Sequence, residues 1–305
     1  MRHQRAILLV LLLAVLPLAG WASEAEGGHE GAAEGLPQAA PVVFHVGPLP
    51  VSNSMVLTWV VALALIVFAR MATRTMRAVP GGAQNFLEWL VESLYEFLEG
   101  IIGSELVKKT FWFFATIFIF ILAANWFGLI PGVGSVGQGV PDASGQLHHI
   151  SKPLLRGTNA DFNMTFGMAM IFFVCWTVWA IQANGVGGFV LHIFGPKGDT
   201  TGFLKVLMVG VFVLVGVLEM VSILFRPISL SFRLYGNIFA GENMLETMAT
   251  MSPWYGWALA LPFYFMELLV GLVQALVFTL LTAVFTLLIC QHEEGHGHAE
   301  PEKHS

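Results

Sequence analysis

An all-α polytopic membrane protein is predicted, with about five membrane-inserted helices and one amphipathic helix lying on the membrane surface. Three observations carry that prediction. Only 11% of the 305 residues are charged and 56% are hydrophobic, where a soluble domain carries about 25% charge. The apolar residues gather in runs long enough to cross a lipid core, for which about 20 helical residues suffice. The runs are separated by basic residues and by Gly- and Pro-containing breaks, the punctuation expected at membrane edges. Because lipid offers no hydrogen bonds to a bare backbone, such runs fold as helices.

The net charge of −6 reflects acids placed mostly in the two tails and one amphipathic segment. No basic face suggests nucleic acid. Cys175 and Cys290 lie far apart, in or beside apolar runs. They read as small buried hydrophobes, without a disulfide or zinc pattern.

The chain opens with MRHQRAILLVLLLAVLPLAGWAS: a basic start, an apolar stretch, then small residues near Ala22 and Ser23. Residues 1–22 are expected to be a signal peptide; an uncleaved first membrane helix is the alternative, disfavoured by Pro17, Gly20 and the short apolar stretch. Residues 23–50 read as a polar extracytoplasmic segment, residues 51–291 as the membrane domain, and residues 292–305 as a His-rich cytoplasmic tail. That tail reads as solvated chain rather than a metal site.

The first mature span is expected from about Ser54 to Ala69. Arg70, Arg74 and Arg77 close it and mark that end as cytoplasmic by the positive-inside rule. After the VPGG break, QNFLEWLVESLYEFLEGII (84–102) repeats apolar residues at threes and fours, with Glu88, Glu92, Glu96 and Glu99 opposite. That pattern is an amphipathic helix too polar to span. Its acidic face is a poor match to lipid headgroups, so packing on neighbouring helices is expected. Lys108 and Lys109 open the next span, about Thr110 to Ile130, ending in NWFGLIPG.

A Gly-rich external loop follows. Its GVGSVG matches a nucleotide-binding fingerprint by spacing, but it follows a membrane span instead of a strand, and dinucleotide binding is rejected. His148 and His149 are adjacent and share no helical face, which argues against a metal site. A third span starts at Asp161 and runs inward to the FGPKG turn.

From about Gly202 to Thr250 the chain then stays apolar for nearly fifty residues. Either two ordinary spans break at Arg226–Pro227, or one long helix bends there and tilts. At about 1.5 Å per residue, such a helix reaches roughly 75 Å against a core of ~30 Å. The last run, Trp257 to Cys290, is also overlong. Two consecutive overlong runs are more simply explained by a tilted hairpin than by four short spans.

Within these runs polar residues are few and spaced. Glu219, Arg226 and Arg233 stand seven apart, with Asn237 four further on, so they share one helical face, blurred at Pro227. Glu242 is half a turn out of phase and points elsewhere. Glu267 and Gln274, seven apart, share a face of the last run. Ionisable groups at membrane depth are costly and line ion paths, proton relays or cavities; the plainer readings are an ion pair between Glu219 and Arg226 and an interhelical hydrogen bond from Gln274. Arg233 holds its charge under almost any condition. It cannot relay a proton, but it can pair transiently with a mobile carboxylate and separate two ion pathways. No second membrane carboxylate in the chain is placed to be that carrier, which points to a partner.

RPISLSFRLYGNIFAGE (226–242) resembles the signature of subunit a of the F-type ATP synthase. VPGGAQNFLEWLVESLYEFL, NWFGLIPG, ADFNMT and ELLVGLVQALVFTLLT are similar to the same family, in the same order, from about residue 50 to 290. The first and last of these five segments are the specific ones.

The resemblance implies an ion-translocating stator subunit, not catalytic alone, with two half-channels serving the carboxylates of a rotor ring. Arg233 would be the arginine facing the ring, and Asn237, Glu242, Glu267 and Gln274 would line the half-channels or the ring-facing surface. Glu219 and Arg226 would lie toward the cytoplasmic path, Asp161 and Asn163 toward the external one. The proline often found ahead of the Asp161 motif is absent here.

The implied partners are the rotor c-ring, the peripheral-stalk b subunits, the remaining ATP synthase complex and the lipid bilayer. The implied ion is H+ or Na+, the implied location a bacterial inner membrane, and no cofactor is expected. The last two helices would form the tilted hairpin, with the N-terminus outside and the C-terminus cytoplasmic. No P-loop is present, so ATP chemistry belongs to a separate head. A secondary transporter would show paired, symmetry-related halves, and none are seen. An intramembrane enzyme would need a nucleophile with a base, or clustered ligands, and the spans offer none.

Overall fold

The computed structural model describes residues 40–46, 49–74, 76–79, 81–134, 137–139, 150–194, 203–252 and 254–290. The signal-peptide reading, most of the polar segment that follows it, His148 and His149, and the His-rich tail lie outside the described residues.

A short antiparallel ribbon, β1 (Val42–Val46) with β2 (Leu49–Ser52), leads into α1 (Asn53–Thr73). Ser52 caps that helix, its Oγ accepting from the Met55 amide. α2 (Ala83–Ile102) is the expected amphipathic helix. It buries Leu94, Leu98 and Ile102, one helical stripe, against α3 (Ser104–Gly128) and the last helix, Gly256–Cys290, and leaves Glu88, Glu92 and Glu96 exposed. Packing on helices thus covers part of its apolar face, while Phe86, Trp89 and Phe97 stay exposed. Gln84 fixes the linker before it, exchanging hydrogen bonds with the Arg77 backbone in both directions.

β3 (Gly137–Gly139) and β4 (Ile150–Pro153) pair antiparallel beyond α3. A turn of 3-10 helix, Thr158–Ala160, then delivers the chain to α4 (Phe162–Phe194). α4 is longer than one span requires and breaks at Gly185, whose φ of 69° is non-helical.

α5 (Phe203–Thr250) resolves the ambiguity of the fifty-residue run: it is one helix of 48 residues with Pro227 inside it. The proline has no amide to donate into the helix, yet the helix continues through it. Ser231 Oγ donates to the Pro227 carbonyl at 2.6 Å, one turn further on. α6 (Gly256–Cys290) turns back and packs along α5, completing the expected hairpin.

Among the described residues, five helices are long and apolar enough to cross a membrane: Asn53–Thr73, Ser104–Gly128, Phe162–Gly185, Gly210–Thr250 and Gly256–Cys290. One core joins α2 to α6 through Phe113, Phe114, Phe172, Trp176, Leu234 and Phe278. The fold is all-α and polytopic.

Candidate functional site

The two faces of α5 separate the predicted residues. Leu230, Ser231, Leu234 and Ile238 are buried against the bundle, whereas Arg233 and Asn237, one turn apart, are exposed on the opposite side with Phe232. Arg233 makes no hydrogen bond or ion pair among the described residues. An arginine held at mid-membrane costs at least about 2.5 kcal/mol.

Glu242, half-buried and out of phase with Arg233, faces inward. It lines a cavity with Asn125, Gly157, Asn159, Ile238 and Glu267, drawn from α3, the loop before α4, α5 and α6. Absent side chains allow this convergence. A β-carbon at Gly157 would overlap the Glu242 carboxylate, and one at Gly241 would overlap the Glu267 carboxylate. The two acids therefore rest directly on backbone.

Asparagines hold the cavity wall. Asn159 Nδ2 donates to Asn125 Oδ1 at 2.6 Å, and Asn125 Nδ2 donates to the Gly271 carbonyl at 2.9 Å. Glu267 is 3% exposed, and its Oε1 is buried without a hydrogen-bond partner among the described residues. Gln274, two turns on, is also buried and lies on the same helix face, as its spacing predicts.

Asp161 is buried at the start of α4. Its carboxylate accepts from Ser54 Oγ of α1 and from the Asn163 amide, so it caps one helix and ties it to another. Asn163 itself is exposed. The arrangement joins Asp161 to the wall beside the cavity, with Thr58 Oγ1 donating to Thr158 Oγ1 nearby.

Arg226 and Glu219 stand elsewhere on α5. The Arg226 guanidinium lies 4.5 Å from the Phe285 ring centroid and 5.5 Å from that of Trp176, clamping α5 to α6 and α4 by cation–π contact. Among the described residues no ion pair joins Arg226 to Glu219, so the plainer ion-pair reading gives way to an aromatic clamp.

Sequence reasoning missed Arg156, Asn125 and Asn159. Arg156 is 1% exposed and stacks over Phe239 of α5 at 5.7 Å. The available signal was a lone arginine in LLRGTNADFN, directly before a membrane helix. Asn125 stood in NWFGLIPG, the only amide inside the apolar run of α3.

The model of the ATP synthase A chain family matches residues 55–286. ATP synthase subunit a of Moorella thermoacetica is 32% identical over 254 residues, covering 83% of this chain and 96% of that protein. The subunit a of Gloeobacter violaceus is 30% identical, covering 84% of this chain and 91% of its own length. The subunit a of Mycobacterium tuberculosis is 30% identical over 237 residues, covering 78% and 84% respectively.

Proposed function

The chain belongs to the ATP synthase A chain family, and from that premise we propose that it carries two half-channels to the rotor-ring carboxylates, kept apart by Arg233. Membership makes it the multi-pass, ion-translocating stator subunit of an F-type ATP synthase, working beside the c-ring and not catalytic alone. The observation that carries the finer reading is the division of α5: a permanent cation on its outward face and a carboxylate, half a turn out of phase with it, in an inward polar cavity.

The external half-channel runs through the cavity of Glu242 and Glu267, with Asn125 and Asn159 on its wall and Asp161 and Asn163 toward its mouth. Gln274 and Asn237 continue toward the ring. The cytoplasmic half-channel passes Glu219, where Arg226 braces the wall. An ion entering from outside neutralises a ring carboxylate, which then travels through lipid. Returning to Arg233, that carboxylate loses its ion to the cytoplasmic path, because a guanidinium favours the ionised partner. The same fixed charge blocks a direct leak. Each charge moved gains roughly 2.3 kcal/mol per 100 mV, so several ions together drive the separate head. The basic end of α1, with Arg70 and Arg74, supports placing that end in the cytoplasm of a bacterial inner membrane. The peripheral-stalk b subunits are the further expected partners, residues 1–22 a signal peptide, and the ion H+ or Na+.

ATP-driven proton uptake into inverted vesicles tests this, comparing wild type with Arg233→Ala in the assembled complex. Uptake should vanish while assembly survives, and a parallel sodium series identifies the ion. Undiminished pumping by Arg233→Ala would refute the half-channel reading.

A further inference from the structure

Glu242 and Glu267 line the external cavity, and two further charged groups that a proton relay between them does not require, Glu246 and the buried Arg156, stand close enough to act on Glu242. Glu246, one turn beyond Glu242 on α5, has Oε2 buried without a hydrogen-bond partner among the described residues, as does Glu267 at Oε1. Arg156 is 1% exposed, and its Nε, Nη1 and Nη2 likewise have no hydrogen-bond partner among the described residues. Its guanidinium lies over Phe239, one turn before Glu242, and within electrostatic reach of Glu242. Its neighbour Gly157 is the surface on which the Glu242 carboxylate rests.

A guanidinium offers five donors in a rigid fork and stays charged when desolvated. Buried without direct partners, it would be an expensive residue if its only task were packing on Phe239, since an apolar side chain does that without the desolvation cost. Three carboxyl groups converging without it would form an oxygen-rich acidic site of the kind that holds hard cations. Among the described residues, the charged groups that act on Glu242 are Glu246 of its own helix, Glu267 from α6 and Arg156 from the loop; Asp161, on the same loop, is turned to Ser54 of α1.

We propose that Arg156 is the resident counter-cation of this cavity, a selectivity-determining residue that offsets part of the charge of Glu242, Glu246 and Glu267 and so excludes alkali cations while protons pass between carboxyl groups. Arg156 therefore differs in kind from Arg233: it serves the inlet, within this chain, and meets no ring carboxylate. The inference rests on the half-channel reading of the cavity and assigns the inlet its ion.

The test uses the complete complex in vesicles, reading ATP-driven proton uptake across a sodium series balanced with choline at constant ionic strength. Arg156→Lys keeps the charge and should pump close to wild type, indifferent to sodium. Arg156→Gln should pump several-fold more slowly and become sodium-inhibited, and the charge-balanced R156Q/E246Q should recover indifference to sodium. Wild-type, sodium-indifferent pumping by Arg156→Gln would overturn the proposal, as would a loss in Arg156→Lys equal to that in Arg156→Gln, the mark of packing alone. Should Arg156→Gln fail to assemble, the double variant decides: assembly with sodium-indifferent pumping supports charge balance, and failure to assemble overturns it. Arg233→Ala runs alongside. Pumping by that variant would remove the half-channel reading itself, whereas its silence with an unaffected Arg156→Gln would remove only the role of Arg156.

Discussion

Gly157 shows how closely the cavity is fitted around a single carboxylate. Its φ of −49° and ψ of 127° are open to any residue, so space, not torsion, requires glycine there. Gly157→Ala would press a methyl group into the Glu242 carboxylate and force the acid off the backbone. The expected result is a several-fold loss of proton uptake in complexes that still assemble, because misplacing a transfer group by about 1 Å is costly. Glu242→Asp in the same chain, one methylene shorter, should recover part of the rate, which a comparison of single and double variants would measure. At this scale the sequence was unevenly legible. Arg233 was conspicuous because any charge in an apolar run stands out. Arg156 was not, because a loop with Lys152, Asn159 and Asp161 around it makes one more polar residue unremarkable. Its burial follows only from the docking of that loop against α5.

Between elements, α6 is held by donors from two neighbours. Asn125 and Trp126 of α3 donate to the Gly271 and Leu268 carbonyls, and Trp176 and Asn184 of α4 donate to those of Phe285 and Ile289. In lipid, burial of apolar surface does not drive helices together, so such bonds and close packing carry much of the association. Gly271 admits Asn125 to that distance, since a β-carbon there would press on the asparagine at 3.0 Å. Asn125→Ala removes its bonds to both Gly271 and Asn159. It should lower the stability of the assembled subunit by about 1 kcal/mol, read as reduced resistance to heating in detergent, while Thr116→Ala, whose hydroxyl bonds only within α3, should change little. The helices were mostly legible because an apolar run admits no other backbone solution in lipid. Their lengths were less so. Periodicity is silent on whether a proline ends or bends a helix, and continuity through Pro227 depends on the packing of Ile223, Leu230 and Leu234 against the bundle on both sides of it.

Taken whole, the molecule is organised by which surfaces it leaves open. Leu63 and Met71 of α1, Leu214 and Phe225 of α5, and Phe265 and Leu269 of α6 are all exposed, an arrangement suited to lipid or to an apolar partner rather than water. Composition made that membrane setting legible, but not which part of the apolar surface meets protein. The open face of α5 is distinguished by Arg233 and Asn237, polar groups that gain nothing from lipid tails. A ring docked on this face should touch Asn237 and not Leu234, which is 1% exposed although only one residue from Arg233. A cysteine at Asn237, paired with a cysteine on the outward helix of a ring subunit, should form an oxidative cross-link and stop ATP-driven rotation until it is reduced. A cysteine at Leu234 in the same complex should not cross-link. The reverse pattern would mean that the ring lies on the side of α5 assigned here to the bundle, so that Arg233 faces lipid alone. An unpaired guanidinium would then bear its full membrane cost with no carboxylate to meet, an outcome the energetics of a buried charge make hard to sustain.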